Sequence, residues 1–184
     1  MLRRHMYLAV LVCTVLCTTI ALAQTTLETV KSRGKLVCGV NTGLAGFATV
    51  GPDGKWHGFD VDYCRALAAA IFNDAEKVEF RPLTAQARFT ALQLKEIDVL
   101  SRNTTWTLSR DTSLGLNFSV ILFYDGQGLM VPVQTQVKSA KNLDGATICV
   151  QSGTTTELNL VVLGRSIHTD SGMVSYEPKM TKSL

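Results

Sequence analysis

The alternation of apolar and polar positions divides the first part of the chain into short buried strands and amphipathic helices. Three apolar runs bounded by turn residues are predicted as strands: 35–40, 77–80 and 97–100. Between them, apolar positions recur at helical spacing over 61–72 and over 86–95, with Asp60 predicted as the N-cap of the first helix. This order predicts a parallel sheet with right-handed crossovers, an α/β unit.

The pattern changes after residue 117, where long apolar runs replace the regular order of strands and helices. The predicted segments are two extended runs at 118–124 and 129–133 joined by a turn, a short helix or turn at 139–144, and a buried strand at 146–150. Thr154 and Glu157 then have the spacing of a capping box, which predicts that a helix begins there.

The first 23 residues have the pattern of a secretory signal peptide. Arg3 and Arg4 precede an apolar run that ends in Ala21-Leu22-Ala23, which predicts cleavage before Gln24. The alternative is an uncleaved membrane anchor, for which the run is short. Removal of the two arginines lowers the formal net charge from +3 to +1, a balance that favours neither nucleic acid nor an anionic membrane as partner.

Cysteine usage limits the covalent possibilities. If Cys13 and Cys17 leave with the signal peptide, Cys38, Cys64 and Cys149 remain, so an exported chain forms at most one internal disulfide. Three buried, unpaired thiols are the alternative. The spacing fits no zinc pattern, and we predict neither a metal nor a cofactor.

Two polar loops suggest a site for a small anion. After the third strand, Thr107 is placed to cap a short helix at 108–111 that bears Arg110, and Asn103 and Thr105 lie just before it. Arginine beside free backbone amides suits a carboxylate, because it donates two parallel hydrogen bonds.

The second loop contains Gly153, Thr154 and Thr155 at the start of a helix, where amides and hydroxyls again favour an anion. Two such loops without an acid–base pair predict a receptor for a small zwitterion rather than an enzyme. Two alternatives apply to the first loop: Asn103-Thr104-Thr105 is an N-glycosylation sequon, and a capped helix with a solvated arginine is common in any protein.

Several motifs together resemble one protein family. The segment GKWHGFDVDYCRALAAAIF at 54–72, the RNTTWT run at 102–107 and the GTTTELNL run at 153–160 are similar to those of bacterial extracellular solute-binding proteins of amino acid ABC transporters. Within these the likeness is greatest to the general L-amino acid-binding periplasmic proteins, over about residues 27–160.

The resemblance implies a fold and a division of the chain. The fold is the α/β, type II periplasmic binding protein fold of two lobes, with the first lobe nearly complete and the second incomplete. The implied segments are a signal peptide at 1–23, a first lobe at 24–122, crossover strands at 123–133, the start of a second lobe at 134–160, and a divergent, disordered tail at 161–184.

The resemblance also implies how a ligand is held. Arg110 matches the arginine that binds the α-carboxylate of an L-amino acid, and Asn103 and Thr105 match residues that hold its carboxylate and ammonium. Gly153, Thr154 and Thr155 match the loop of the second lobe that adds amide and hydroxyl contacts to the carboxylate. The implied protein is a periplasmic monomer that delivers its ligand to the permease subunits of an ABC transporter.

Two departures from the family pattern, and one enzyme class on the same fold, keep other interpretations open. The likeness ends near Leu160, which predicts a truncated chain and allows a relic that binds nothing. Lys95 replaces a glycine that is common in the family; a left-handed backbone there costs a non-glycine residue on the order of 1 kcal/mol. A periplasmic dehydratase on the same fold, acting on a small carboxylic acid, is the enzymatic alternative, with Asp60 or Asp125 as its acid–base residue.

Overall fold

The computed structural model describes residues 25–143, 146 and 148–167. The predicted signal peptide and residues 168–184 of the predicted tail lie outside this range. The elements are α1 (Thr26–Arg33), β1 (Leu36–Asn41), β2 (Thr49–Val50), β3 (Trp56–His57), α2 (Phe59–Phe72), β4 (Val78–Leu83), α3 (Arg88–Gln93), β5 (Val99–Leu100), α4 (Leu108–Ser113) and α5 (Thr155–Ile167), with 3-10 turns at Val133–Thr135 and Ala140–Asn142.

A three-stranded parallel sheet forms the centre of the described chain, as the sequence predicts. Its strand order is β4–β1–β5, so β1 pairs on both sides. All six residues of β1 are buried, which is why its sequence is a continuous apolar run rather than an alternating one. A side chain at Gly39 would place its Cβ 2.6 Å from the end of the Ile97 side chain and 2.9 Å from that of Leu83, so both side chains would have to shift to admit a larger residue.

Helix α2 covers this sheet and is joined to it covalently. Cys38 of β1 and Cys64 of α2 form a disulfide in the middle of the buried cluster, and Cys149 is free and exposed. The prediction of at most one internal bridge is therefore confirmed, and the bridge is now assigned. The helix begins earlier than predicted: Gly58 is its N-cap and Asp60 lies buried in the first turn, so the prediction of Asp60 as the cap is wrong.

Helix α1 was not predicted, although its signals are present in the sequence. The Thr25 hydroxyl accepts from the Glu28 N–H, and the Glu28 carboxylate accepts from the Thr25 N–H, which completes a capping box. Gly34 ends the helix in the left-handed conformation. The Arg33 guanidinium pairs with Asp98, whose carboxylate also accepts from the Val37 N–H at 2.7 Å.

The chain leaves helix α3 through a strained residue. Lys95 has a φ of +58°. This is the left-handed conformation that the glycine common in the family at this position would adopt without strain. The helix itself spans Arg88–Gln93, which is shorter than the predicted 86–95. Lysine in this conformation costs about 1 kcal/mol relative to glycine.

Three segments that the sequence predicts as extended runs or a strand are not assigned to strands. Within 118–124, 129–132 and the described part of 146–150, no residue is assigned to a strand, and Cys149 is exposed. An apolar run becomes a strand only when a neighbouring backbone pairs with it, and the described residues place no strand beside these runs. Residues 161–167 continue helix α5, so this part of the predicted tail is helical rather than disordered.

None of the helices in the described part of the chain has the length and apolar character needed to cross a membrane.

Candidate ligand-binding site

The candidate site lies at the carboxyl edge of the sheet, where the strand order reverses. Successive strands run from β1 outward to β4 and then back past β1 to β5. In open parallel α/β sheets, ligands bind beyond the carboxyl ends of the strands at such a point. Asn41 at the end of β1 donates from its side chain to the Asn103 Oδ1 at 2.8 Å, which ties the loops after β1 and β5 together.

Arg102 fixes the loop after β5. Its guanidinium donates to the Leu83 carbonyl at 2.8 Å, and its Nε and Nη2 both donate to the Asn103 Oδ1. That oxygen therefore accepts from Asn41 and Arg102 within the protein. The part of the Asn103 side chain left for a ligand is its amide nitrogen, which suits a carboxylate and not an ammonium.

A capped helix holds Arg110 beside the loop after β5, as the sequence predicts. The Thr107 hydroxyl accepts from the Arg110 N–H at 3.3 Å, which confirms Thr107 as the cap of α4. The Arg110 guanidinium donates to the Thr105 carbonyl at 2.8 Å and to the Gly153 carbonyl at 3.4 Å. It also lies 5.0 Å from the centre of the Phe89 ring, so the aromatic face limits its freedom.

The second polar loop meets the first directly. The hydroxyls of Thr105 and Thr155 lie 3.1 Å apart. The Thr154 hydroxyl donates to the Gln151 carbonyl and accepts from the Glu157 N–H, so it serves the helix start, as the capping-box spacing predicted. The Glu157 carboxylate in turn accepts from the Gly153 N–H at 2.8 Å.

Three buried arginines dominate the electrostatics of this edge: Arg88, Arg102 and Arg110 are 1%, 7% and 8% exposed. Among the described residues, no carboxylate oxygen lies within 4.0 Å of any of their nitrogens. Burial, with the charges of Arg102 and Arg110, lowers the pKa of Arg88 to about 9. Burial also lowers the pKa of Arg102 and Arg110. All three remain charged at neutral pH, and a bound anion would offset the free-energy cost of burying these charges.

Asp60 is the one carboxylate that acts electrostatically on this cluster within the described chain. Burial raises its pKa to about 6, against an opposing effect of the Arg102 charge. Its Oδ2 is buried and accepts no hydrogen bond from a described residue. The Asp60 backbone carbonyl accepts from the Ser101 hydroxyl, which places this residue at the same end of the sheet.

We predict that Asp60→Asn stabilises the chain at neutral pH. Because the folded state binds the Asp60 proton more tightly than the unfolded state, the stability due to this group is greatest below about pH 4 and falls as the pH rises towards 6. A folded-state pKa of about 6 for Asp60 corresponds to a cost on the order of 2–3 kcal/mol at neutral pH. Urea unfolding at pH 4 and pH 7 should show a stabilisation by Asp60→Asn that is small at pH 4 and large at pH 7.

The matched control is Asp62→Asn, because Asp62 lies in the same helical turn and is exposed. This variant should show no comparable rise between the two pH values. If Asp60→Asn destabilises the chain equally at pH 4 and pH 7, the buried Asp60 charge does not lower the free energy of unfolding.

The structure brings together the residues that the sequence predicted. All of them lie in the two loops that meet at this edge or in the first turn of the helix that follows each loop: Asn103, Thr105, Arg110, Gly153, Thr154 and Thr155. The sequence analysis did not predict Arg88 and Arg102. Each follows the carboxyl end of a predicted strand, and that position is the sequence signal by which they could have been found. Asp125 is exposed, and its carboxylate accepts from the Gly126 N–H.

Comparison with known proteins shows sequence likeness over most of the chain. The sequence profile of the bacterial extracellular solute-binding proteins, family 3, matches residues 36–172, so the likeness extends beyond residue 160. The general L-amino acid-binding periplasmic protein of Rhizobium johnstonii is 61% identical over 140 residues, which are 76% of this chain and 41% of that protein. The glutamate/glutamine/aspartate/asparagine-binding protein of Rhodobacter capsulatus is 57% identical over the same shares.

A solved structure shares the fold. The periplasmic binding protein of Brucella ovis, an ABC transporter protein with glutathione bound, superposes with a TM-score of 0.76 at 55% identity. The match covers 87% of this chain and 49% of that one. This chain therefore spans less than half the length of these relatives.

Proposed function

Because the chain belongs to the bacterial extracellular solute-binding proteins of family 3, we propose that it is the substrate-binding component of an ABC importer. In this proposal it captures an L-amino acid in the periplasm, acts as a monomer and passes its ligand to membrane permease subunits. It performs no chemistry on the ligand.

The observation that most supports this proposal is the buried arginine cluster without a carboxylate partner among the described residues. An α-carboxylate at the cluster would receive charge-assisted hydrogen bonds and lower the cost of burying the three charges. The Arg110 Nε–H donates to no described residue and is a suitable donor for it. The backbone N–H groups of Thr154 and Thr155, for which the described chain provides no acceptor, are further donors.

In this proposal the two loops close on the ligand from opposite sides. Thr105, Arg110 and the Asn103 amide nitrogen contact it from the sheet side. The backbone N–H groups of Thr154 and Thr155 contact it from the side of α5, next to Gly153, whose own N–H already donates to Glu157. The 3.1 Å contact between Thr105 and Thr155 supports this arrangement, because it already joins the two sides. The glutathione in the Brucella ovis structure fits the same chemistry, since its γ-glutamyl end has a free α-ammonium and α-carboxylate.

The proposal predicts selectivity for the ligand's α-carboxylate. L-Glutamate should bind at least about ten- to a hundredfold more tightly than L-isoglutamine, its α-amide, because hydrogen bonds to a charged group contribute roughly 1.5–3 kcal/mol. The side chain is the same in both compounds, so the comparison isolates the α-carboxylate. Isothermal titration calorimetry with both compounds, and with glutamine, aspartate and glutathione as further ligands, measures this ratio.

Equal binding of L-glutamate and L-isoglutamine would show that the α-carboxylate is not what the site recognises. A panel in which no compound binds would contradict the proposed function. Turnover of a small carboxylic acid that is lost in Asp60→Asn would instead favour the dehydratase interpretation.

A further inference from the structure

Arg88 is the most deeply buried charged side chain of the described chain, and it does not occupy one of the predicted ligand positions. It is 1% exposed. Its Nη1 donates to the Asn103 carbonyl at 3.0 Å and to the Thr104 hydroxyl at 3.2 Å, and its Nη2 donates to the Gly153 carbonyl at 3.0 Å. The guanidinium also lies 4.8 Å from the centre of the Phe89 ring. One cation thus joins two distant parts of the chain.

The two parts that Arg88 joins are otherwise separated along the chain. We call residues 25–114 the sheet body and residues 151–167 the α5 segment. Arg88 and its partners Asn103 and Thr104 belong to the sheet body, and Gly153 belongs to the α5 segment. Between them, residues 117–136 are mostly exposed and contain no strand or α-helix. Direct contacts, rather than a continuous regular element, hold the two parts together.

Gly153 is shaped for this contact. A Cβ at this position would lie 3.2 Å from the Ala85 carbonyl oxygen and 3.2 Å from the Gln86 Cα, both in the loop before α3. Its φ of +78° is also one that other residues adopt only under strain. The absence of a side chain lets the Gly153 backbone reach the sheet body, where its carbonyl accepts from both Arg88 and Arg110.

We propose that Arg88 is a positioning residue that clamps the α5 segment onto the sheet body. It acts through the Gly153 carbonyl and not through the ligand, because both terminal nitrogens already donate to acceptors within the chain and the residue is only 1% exposed. Its charge strengthens each of these bonds to a neutral acceptor. The link to ligand capture rests on the proposed function, but the clamp itself is a contact within the chain.

The clamp can be tested without any ligand. Trp56 and Trp106 are the two tryptophans of the chain, and both lie in the sheet body. Cys149, free and exposed, lies just before the α5 segment. With Cys13 and Cys17 replaced by serine, an acceptor dye on Cys149 reports the separation of the two parts by energy transfer from tryptophan.

Arg88→Met keeps much of the side-chain volume and removes every donor. We expect this variant to lower the transfer efficiency clearly. Arg88→Lys retains the charge but has only one donor group, and it should lower the efficiency less. The control is Arg81→Met, since Arg81 is exposed on β4 and pairs with Glu79, and it should leave the efficiency unchanged. Far-UV circular dichroism confirms that each variant is folded. Unchanged transfer in folded Arg88→Met would overturn the proposal.

A second variant covers the case in which Arg88→Met does not fold. Gly153→Ala leaves Arg88 in place and pushes a Cβ against the Ala85 carbonyl, so it should also lower the transfer efficiency. If it does not, the contact at Gly153 does not hold the two parts together and the proposal is wrong.

Ligand kinetics distinguish a clamp from a ligand contact. With L-glutamate as the probe in stopped-flow measurements, Arg88→Lys should raise the dissociation rate by about tenfold and leave the association rate within about twofold. A fall in the association rate alone would contradict a clamp. If L-glutamate and the other compounds fail to bind the unmodified chain, the proposed function fails, and the energy-transfer result still decides the clamp.

Discussion

Replacing Arg110 by alanine is expected to weaken the binding of L-glutamate by about ten- to a hundredfold or more. The substitution removes the donors of a side chain that is 8% exposed, and hydrogen bonds to a charged partner contribute roughly 1.5–3 kcal/mol. Arg110→Lys should lose most of the same affinity, because an ammonium cannot form the two parallel bonds of a guanidinium. Calorimetry at constant ionic strength measures both variants.

The matched control is Arg81→Ala, which removes an equal charge from an exposed position on β4. Its affinity should stay within about twofold of the unmodified chain, because exposed charges are screened by salt. If Arg110→Ala and Arg81→Ala have the same affinity, Arg110 does not bind the carboxylate, and the cluster must be explained by structure alone.

Loss of the Cys38–Cys64 disulfide is expected to lower the free energy of unfolding by about 3–4 kcal/mol. The bridge spans a sequence separation of 26 residues, and closing a loop of that length removes this much entropy from the unfolded chain. The double variant Cys38→Ala/Cys64→Ala avoids leaving a single reactive thiol. Urea unfolding of this variant, and of the unmodified chain with dithiothreitol, should give similar and much reduced midpoints.

Cys149→Ala is the control for the disulfide, because this thiol is exposed and unpaired. It should unfold at the same urea concentration as the unmodified chain, with and without an oxidant. A double variant as stable as the unmodified chain would mean that the bridge adds nothing beyond the packing of β1 against α2.

Local patterns determined the arrangement of the sheet body. The burial of β1 on both faces follows from its continuous apolar run, and the helical spacing after Gly58 follows from one buried stripe. The caps at Thr107 and Thr154 were also predictable, because a hydroxyl bonds to an amide three residues further along the chain. Where the sequence prediction of Asp60 as a cap failed, burial against the sheet competed with local capping and won.

Contacts between distant residues were decided by the tertiary structure alone. Three cysteines allowed several pairings, and only the packing of α2 on β1 placed Cys38 beside Cys64. The apolar runs at 118–124 and 129–133 have the composition of strands, but a strand also needs a backbone partner, which composition does not reveal.

The same division applies to the candidate site. Its six predicted residues could be named from the sequence, because family motifs and helix starts identify them one loop at a time. The convergence of Arg88, Arg102 and Arg110 could not. Arg88 follows β4, whereas Arg102 and Arg110 follow β5, and they meet only when the parallel sheet aligns the carboxyl ends of these strands. The reach of Arg88 to the Gly153 carbonyl depends further on a backbone approach that only the folded chain creates.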